Sequence, residues 1–396
     1  MSSTLRHLRH LSTTTQKISI TKAKSRLRTE HDPDKALAIF SSASSNDSSP
    51  PVVSRYAQDL TVRRLAKSHR FADIESLMES HKSDPKIKQE PFLSSLIRSY
   101  GVAGMFDQAL KTYQEMDQLG TPRSCISFNA LLSACIQSKL YKKVPVLFNE
   151  ISEKYRVLPD TVSYGMLVKA YCEDGKPDKA IEVLGEMEKK GVEVTAIVCT
   201  PVLNCLYSKG KKDEAERFLD GMVERGCELD AVVYNVKISN AVSQGPERVK
   251  ELIEEMESYG LKPDTISYNY LMTSYCTSGM MEEAKKVYEE FRVHGCKANA
   301  ATFRTLVFNL CKSGEYEKGY EIFKDSVKVH RIPDFNTLKY LVKGLVEKKK
   351  IKEAKGLIRT MKKKFPLNLL NAWKKVEENL GLHSTEEDKE VKEATA

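Results

Sequence analysis

The sequence predicts an all-α fold, a right-handed α-solenoid of stacked helix-turn-helix repeats with about nine 35-residue units. Three observations predict it. The first is a period. LPDTVSYG (158–165), ELDAVVYN (228–235) and KPDTISYN (262–269) restart the chain in one way, and aligning on them gives repeats that begin at 55, 90, 125, 161, 196, 231, 265, 300 and 335. The second is a pair of helical patterns inside each repeat. In the repeat at 265, Ile266, Tyr268, Leu271, Met272 and Tyr275 mark one apolar face, and Ala284, Val287, Tyr288 and Phe291 mark a second. The third is punctuation. Gly279 parts the two patterns and recurs as Gly104, Gly175, Gly210, Gly245 and Gly314. A small residue follows five places on, at Ala109, Ala180, Ala215 and Gly319, where it lets two helices approach. One such helix pair cannot bury both its faces, so neighbours must stack into a continuous core.

Taken in order, residues 1–29 hold seven basic residues, eleven Ser or Thr and no acid, the composition of an organelle transit peptide. Arg9-His10-Leu11-Ser12 resembles a mitochondrial processing site. The mitochondrial matrix is therefore the expected location, with the chloroplast as the alternative. Residues 30–54 read as a partial helix (DPDKALAIF, 32–40) and a flexible linker (SSASSNDSSPP, 41–51). The repeats fill 55–364. The outer ones are degenerate, with His69 and Lys349 where the separating glycine belongs. Leu369, Leu370, Trp373, Val376 and Leu380 make 365–382 an amphipathic capping helix, and 383–396 form an acidic tail expected to be disordered.

Composition excludes several classes of function. The longest apolar run falls short of the roughly 18 residues a membrane helix needs. The nine Cys form no CxxC pair, and Cys172, Cys276 and Cys311 share one repeat position, which makes them buried, reduced core residues. His294 and Cys296 are too few for a metal site. A phosphate loop, a hydrolase elbow and a zinc-deaminase pattern are all missing. Glu and Lys interleave on second helices, as in MEEAKKVYEEF (281–291), which is surface pairing and not a carboxylate dyad. These readings describe a protein that is not an enzyme, with no cofactor, no metal, no membrane contact and no small-molecule substrate.

The repeat differs from the tetratricopeptide type, which wants small residues where this chain has Ile97, Leu203 and Met272, and Ala where it has Met116, Met187, Met222 and Met361. It resembles the pentatricopeptide repeat family, P type, through Tyr268-Asn269, Tyr275-Cys276, Gly279, Glu283-Ala284 and the closing Gly295-x-x-x-Asn299. The resemblance implies a plant organellar protein that binds single-stranded RNA, one base per repeat. It implies base contacts from the fifth residue of the first helix and the last residue of the repeat. Carried onto this chain, Asn129 with Asp160 and Asn235 with Asp264 resemble uridine-preferring pairs. Thr200 with Asp230 resembles a guanosine-preferring pair, and Asn269 with Asn299 a cytidine-preferring one. Ser94 with Ser124 is uninformative. Gly165 with Thr195, Arg304 with Asp334, Asp59 with Gln89, and Lys339 depart from the pattern. An Asp at a repeat junction also reads as an ordinary helix N-cap.

Charge takes over where the pairs fail. The net charge is +9, most of it in the first 29 residues, but 339–364 hold eleven Lys or Arg against two acids. Arg304, Lys339, Lys343, Lys348, Lys349, Lys350, Lys362, Lys363 and Lys364 are the candidates for phosphate contact. An eroded code on a short chain resembles the pentatricopeptide proteins of the mitochondrial ribosome. The resemblance therefore implies an RNA-binding scaffold in translation, on the small subunit, beside ribosomal proteins. Two alternatives stand beside it: a transcript-specific factor for mRNA stability, end processing or splicing, and a protein–protein scaffold without RNA.

Overall fold

The computed structural model describes residues 18–43, 51–291, 293–364 and 367–382. Every regular element among them is helical. They divide into two compact units, one ending at Cys227 and one beginning at Glu228. The first holds α1 (Ile20–Thr29), α2 (Pro33–Ala43), α3 (Pro51–Lys67), α4 (Phe71–Lys82), α5 (Glu90–Ala103), α6 (Phe106–Gln114), α7 (Cys125–Gln137), α8 (Val144–Tyr155), α9 (Thr161–Glu173), α10 (Pro177–Lys189), α11 (Ala196–Ser208) and α12 (Lys212–Glu224). The second holds α13 (Ala231–Ala241), α14 (Pro246–Ser258), α15 (Thr265–Thr277), α16 (Met281–Glu290), α17 (Ala300–Lys312), α18 (Tyr316–Lys328), α19 (Phe335–Glu347), α20 (Ile351–Lys364) and α21 (Leu367–Asn379). From α3 to α20 each odd helix opens a repeat and the next even helix closes it. Within each unit an odd helix packs on its even partner and on the next odd helix.

Local chemistry fixes where the odd helices begin. Asp160, Asp264 and Asn299 each accept from the backbone N–H three residues on, while Ser163, Ser267 and Thr302 return a hydroxyl to the cap's own N–H, which closes a capping box. Asp230 and Asp334 cap α13 and α19 with the carboxylate alone. The helices end on a left-handed residue. At Gly279, φ is 79° and the N–H of Met280 returns to the carbonyl of Tyr275 at 2.9 Å. The degenerate repeats keep this geometry without glycine. His69, Lys139 and Lys349 take φ of 56°, 59° and 59°.

Gly245 is different. With φ 109° and ψ 163° it is extended rather than helical, and it follows a single 3-10 turn at Val242–Gln244. The repeat at 231 is one residue short, and α14 starts at Pro246, directly after the glycine. Gly245 must therefore leave one helix and enter the next in a single step.

The core is a run of stacked side chains. In the first unit Phe128, Phe148 and Tyr164 follow one another with ring centroids 5.6 and 5.1 Å apart. In the second, Tyr234, Met256, Met272, Ala284 and Leu310 belong to one buried cluster, and Val307, Leu338, Leu357 and Trp373 to another. Ala109, Ala180 and Ala215 are fully buried, and a Cβ on Gly319 would lie 3.3 Å from Leu341. Two close approaches have no sequence signature. A Cβ on Gly101 would strike the backbone of Ala134, and one on Gly344 would enter the ring of Tyr316. The thiols serve as core atoms, and burial pushes those of Cys276 and Cys311 up to about 12.

The N-terminal segment carries more structure than a leader requires. Residues 18–29, assigned to the transit segment, carry a packed helix. Ile18, Ile20, Ala23 and Leu27 are buried in one cluster with Phe40, Ala43 and Ala57. A basic amphipathic helix suits an import signal and a packed surface helix equally, and here Ala23 and Leu27 are fully buried. The partial helix of 32–40 is α2. Residues 1–17, most of the linker and the acidic tail lie outside the described residues. At the other end Trp373 packs edge-on against Phe335, with centroids 4.9 Å apart, and Val376 and Leu382 are buried. The side chains of Leu369 and Leu370 fall outside those described.

Candidate nucleic-acid interface

Three of the fifth-and-last pairs are brought together. The amide of Asn129 donates to Asp160 Oδ1 at 3.0 Å, while its carbonyl accepts from the Ser163 hydroxyl at 2.6 Å. Asn235 repeats this with Asp264 at 3.2 Å and Ser267 at 2.7 Å. Asn269 does so with Asn299 at 3.4 Å and Thr302 at 2.7 Å. The cap oxygen serves two purposes, since Asp160 Oδ1 also accepts from the Ser163 N–H at 2.8 Å. Burial pushes the Asp160 carboxyl up, but the hydrogen bonds from Asn129 and Ser163 outweigh it and hold the group below the usual carboxylate range. At Asp160 and Asp264, capping a helix therefore does not exclude base contact. One carboxylate starts a helix and orients the amide of the preceding repeat.

The Asn side chains lie low in this arrangement. Asn129, Asn235 and Asn269 are 6%, 7% and 9% exposed. Three residues earlier, about one helical turn away, the exposed residue is apolar. Ile126, Val162, Ile197, Val232 and Ile266, each second in its first helix, run from 42% to 78% exposed. Ile266 was assigned to the core face, and the structure places it at the surface instead. Apart from Ile266, these positions were not singled out by sequence reasoning. The signal was a branched aliphatic recurring at 126, 162, 197, 232 and 266, two places after a cap, where a polar residue would cost nothing. Low polar edges between apolar side chains suit a flat base presented edge-on.

The other pairs differ. Ser94 is fully buried, and its hydroxyl has no partner among the described residues. Ser124 turns to Glu90, whose carboxylate takes the Ser124 hydroxyl at 2.8 Å and the N–H groups of Ser124 and Ser127 at 2.7 and 3.0 Å. Burial pushes Glu90 up, and these hydrogen bonds more than offset it, so its carboxyl lies below the ordinary value. Thr200 spends its hydroxyl on the Ala196 carbonyl at 2.6 Å, and Asp230 takes the N–H groups of Val232 and Val233 at 2.9 Å each. These two residues belong to different units. Gly165 has no side chain to offer. Asp334 is occupied by Thr337 and by the N–H of Asn336. Asp59 is raised by burial, against the pull of Arg63, Arg55 and Arg98, and its Oδ1 has no partner among the described residues.

The lysine candidates do not form one patch. Lys348, Lys349 and Lys350 sit at the turn before α20, and Lys362 to Lys364 at its far end, about 20 Å away at 1.5 Å per residue. Lys350 lies 3.6 Å from Glu317, Lys343 3.8 Å from Glu347, and Lys362 pairs with Glu377 at 2.5 Å. Lys348, Lys349 and Lys363 are exposed, and the side chain of Lys364 lies outside those described. Arg304 and Lys339 are exposed and make no ion pair among the described residues.

Repeated helix pairs and a repeated polar junction define a class of protein, and comparison with known sequences agrees. The PPR repeat family model matches 263–312, PPR repeat models match 93–121, 126–155, 156–188 and 301–328, and the pentatricopeptide repeat domain model matches 182–244. The chain belongs to the pentatricopeptide repeat family. It is 62% identical over 369 residues to the small ribosomal subunit protein mL103 (rPPR7) of Arabidopsis thaliana, covering 93% of this chain and 89% of that one. It is 57% identical over 368 residues to a mitochondrial pentatricopeptide repeat-containing protein of the same plant, covering 93% and 87%. The crystal structure of the maize pentatricopeptide repeat protein PPR10 aligns over 88% of this chain and 57% of that one, at 18% identity and a TM-score of 0.44. Among the described residues, no helix is long and apolar enough to cross a membrane.

Proposed function

We propose that this protein is a non-catalytic RNA-binding scaffold of the mitochondrial small ribosomal subunit. It holds a single-stranded segment of rRNA against its first helices and neighbouring ribosomal proteins against its outer surface. One observation carries the reading: 62% identity to a small ribosomal subunit protein, across nearly the full length of both chains. The eroded pairs support the same conclusion. Direct base contacts are worth about 1–3 kcal/mol of discrimination each. Three formed pairs with gaps between them select a transcript poorly but suffice for an RNA already held in place by assembly. A mitochondrial leader fits the basic N-terminal segment, and the burial of Ile18, Ile20, Ala23 and Leu27 supports a cleavage before Ile18, near Ser12.

Crosslinking in plant mitochondria that carry a tagged chain tests this. RNA recovered after protein digestion should collapse to one or a few segments of small-subunit rRNA. Recovery of a single mRNA leader or intron instead would replace the reading with that of a transcript-specific factor.

A further inference from the structure

The last two repeats carry a surface that the pair geometry leaves unused. In α17 the fifth and ninth positions are Arg304 and Phe308, and Phe308 is 45% exposed. A ring left this open presents a flat apolar face to solvent. Among the described residues its aromatic neighbour is Tyr340 of α19, tilted at 50° with centroids 5.9 Å apart, which steadies the ring without covering it. Tyr340 is held edge-on by Tyr316 at 6.5 Å. Cations surround the pair. Arg304 and Lys312 flank Phe308 one helical turn away on each side, a spacing of about 5–6 Å between Cβ atoms. Lys339 and Lys343 sit at the fifth and ninth positions of α19. Arg304, Lys312 and Lys339 are exposed and make no ion pair among the described residues. This face continues the line of Asn269 on α15, which packs against α17.

We propose that Phe308 is a stacking platform for one unpaired base of single-stranded RNA, with Arg304, Lys339 and Lys343 on the flanking phosphates. The proposal rests on the RNA-binding reading above and deepens it. Here the protein grips RNA without reading it. A flat apolar ring inside a cationic rim is complementary to a polyanion with flat faces, and every base has a face to offer. An acidic protein segment would satisfy the cations but leave the ring exposed.

Binding of the full chain to oligouridylate and oligoadenylate of about 12 nucleotides, followed by fluorescence anisotropy across a salt series, tests this. Phe308→Ala should weaken both by about tenfold with the salt slope unchanged, and Phe308→Trp should restore them. Arg304→Gln and Lys339→Gln should each lower the slope of log affinity against log salt by roughly 0.7. If Phe308→Ala binds both oligomers as the unaltered chain does, the platform is wrong and the RNA-binding reading stands. Loss confined to one oligomer would contradict sequence-neutral stacking. If the unaltered chain binds neither, the RNA-binding reading fails and the platform with it. Loss of a ribosomal-protein contact in Phe308→Ala, with RNA binding intact, would reassign the surface to a protein.

Discussion

The amide of Asn235 and the carboxylate of Asp264, 29 residues apart in sequence, meet at 3.2 Å, and Ser267 closes the triangle by donating to the Asn235 carbonyl at 2.7 Å. The same triangle stands at Asn129, Asp160 and Ser163. A residue assigned to base contact is thus also a fastener between consecutive repeats.

Removing the amide should loosen that fastener. Asn235→Ala takes away the 2.7 Å acceptor of the Ser267 hydroxyl and leaves it Asp264 Oδ1 at 3.3 Å, which should cost about 0.5–1.5 kcal/mol, the net worth of a hydrogen bond. Paired with Asp264→Ala in a double-mutant cycle, it should show coupling of about 1 kcal/mol in urea unfolding. An additive pair would mean that the two residues act independently.

The carboxylates at these junctions also set an acid limit. Glu90 and Asp160 have folded-state values below their unfolded ones, so each adds stability above about pH 4 that is lost as pH falls through the depressed folded value. Glu90→Gln should therefore lower Tm at pH 7, and the gap to the unaltered chain should close under acid. A constant gap between pH 7 and pH 3 would remove the charge from the explanation.

Backbone geometry offers substitutions of opposite sign. Lys139 and Lys349 hold left-handed φ of 59°, which costs a side-chain-bearing residue about 1–2 kcal/mol. Lys139→Gly should raise Tm, an effect readable by scanning calorimetry. Gly344→Ala should lower it, because a Cβ would enter the ring of Tyr316, and overpacking of this kind costs about 1–3 kcal/mol.

Much of this architecture was legible in the chain. Asp160, Asp264 and Gly279 are residues whose local preferences coincide with the fold, so the period exposed the helix boundaries directly. Legibility failed where one pattern served two purposes. The amphipathic run at Ile20, Ala23 and Leu27 fits a leader and a packed helix alike, and its packing against Phe40 and Ala57 is not written in the run itself. Ile266 matched a helical apolar face but sits beyond the cap, where its neighbours do not reach it. Phe308 shares its helix with the buried Leu306 and Val307, and a one-dimensional pattern cannot assign it to the opposite side. The lysine run looked continuous because sequence distance hides the length of α20.

The most direct test of the central claim is sedimentation. Mitochondrial extracts containing a tagged chain, run on sucrose gradients in high magnesium, should place it with the small ribosomal subunit. Chelating the magnesium should shift the protein and the small-subunit rRNA together, and digesting the RNA should release the protein to lighter fractions. A chain that stays near the top of the gradient in a small complex, while the small subunit sediments intact without it, would contradict the ribosomal role.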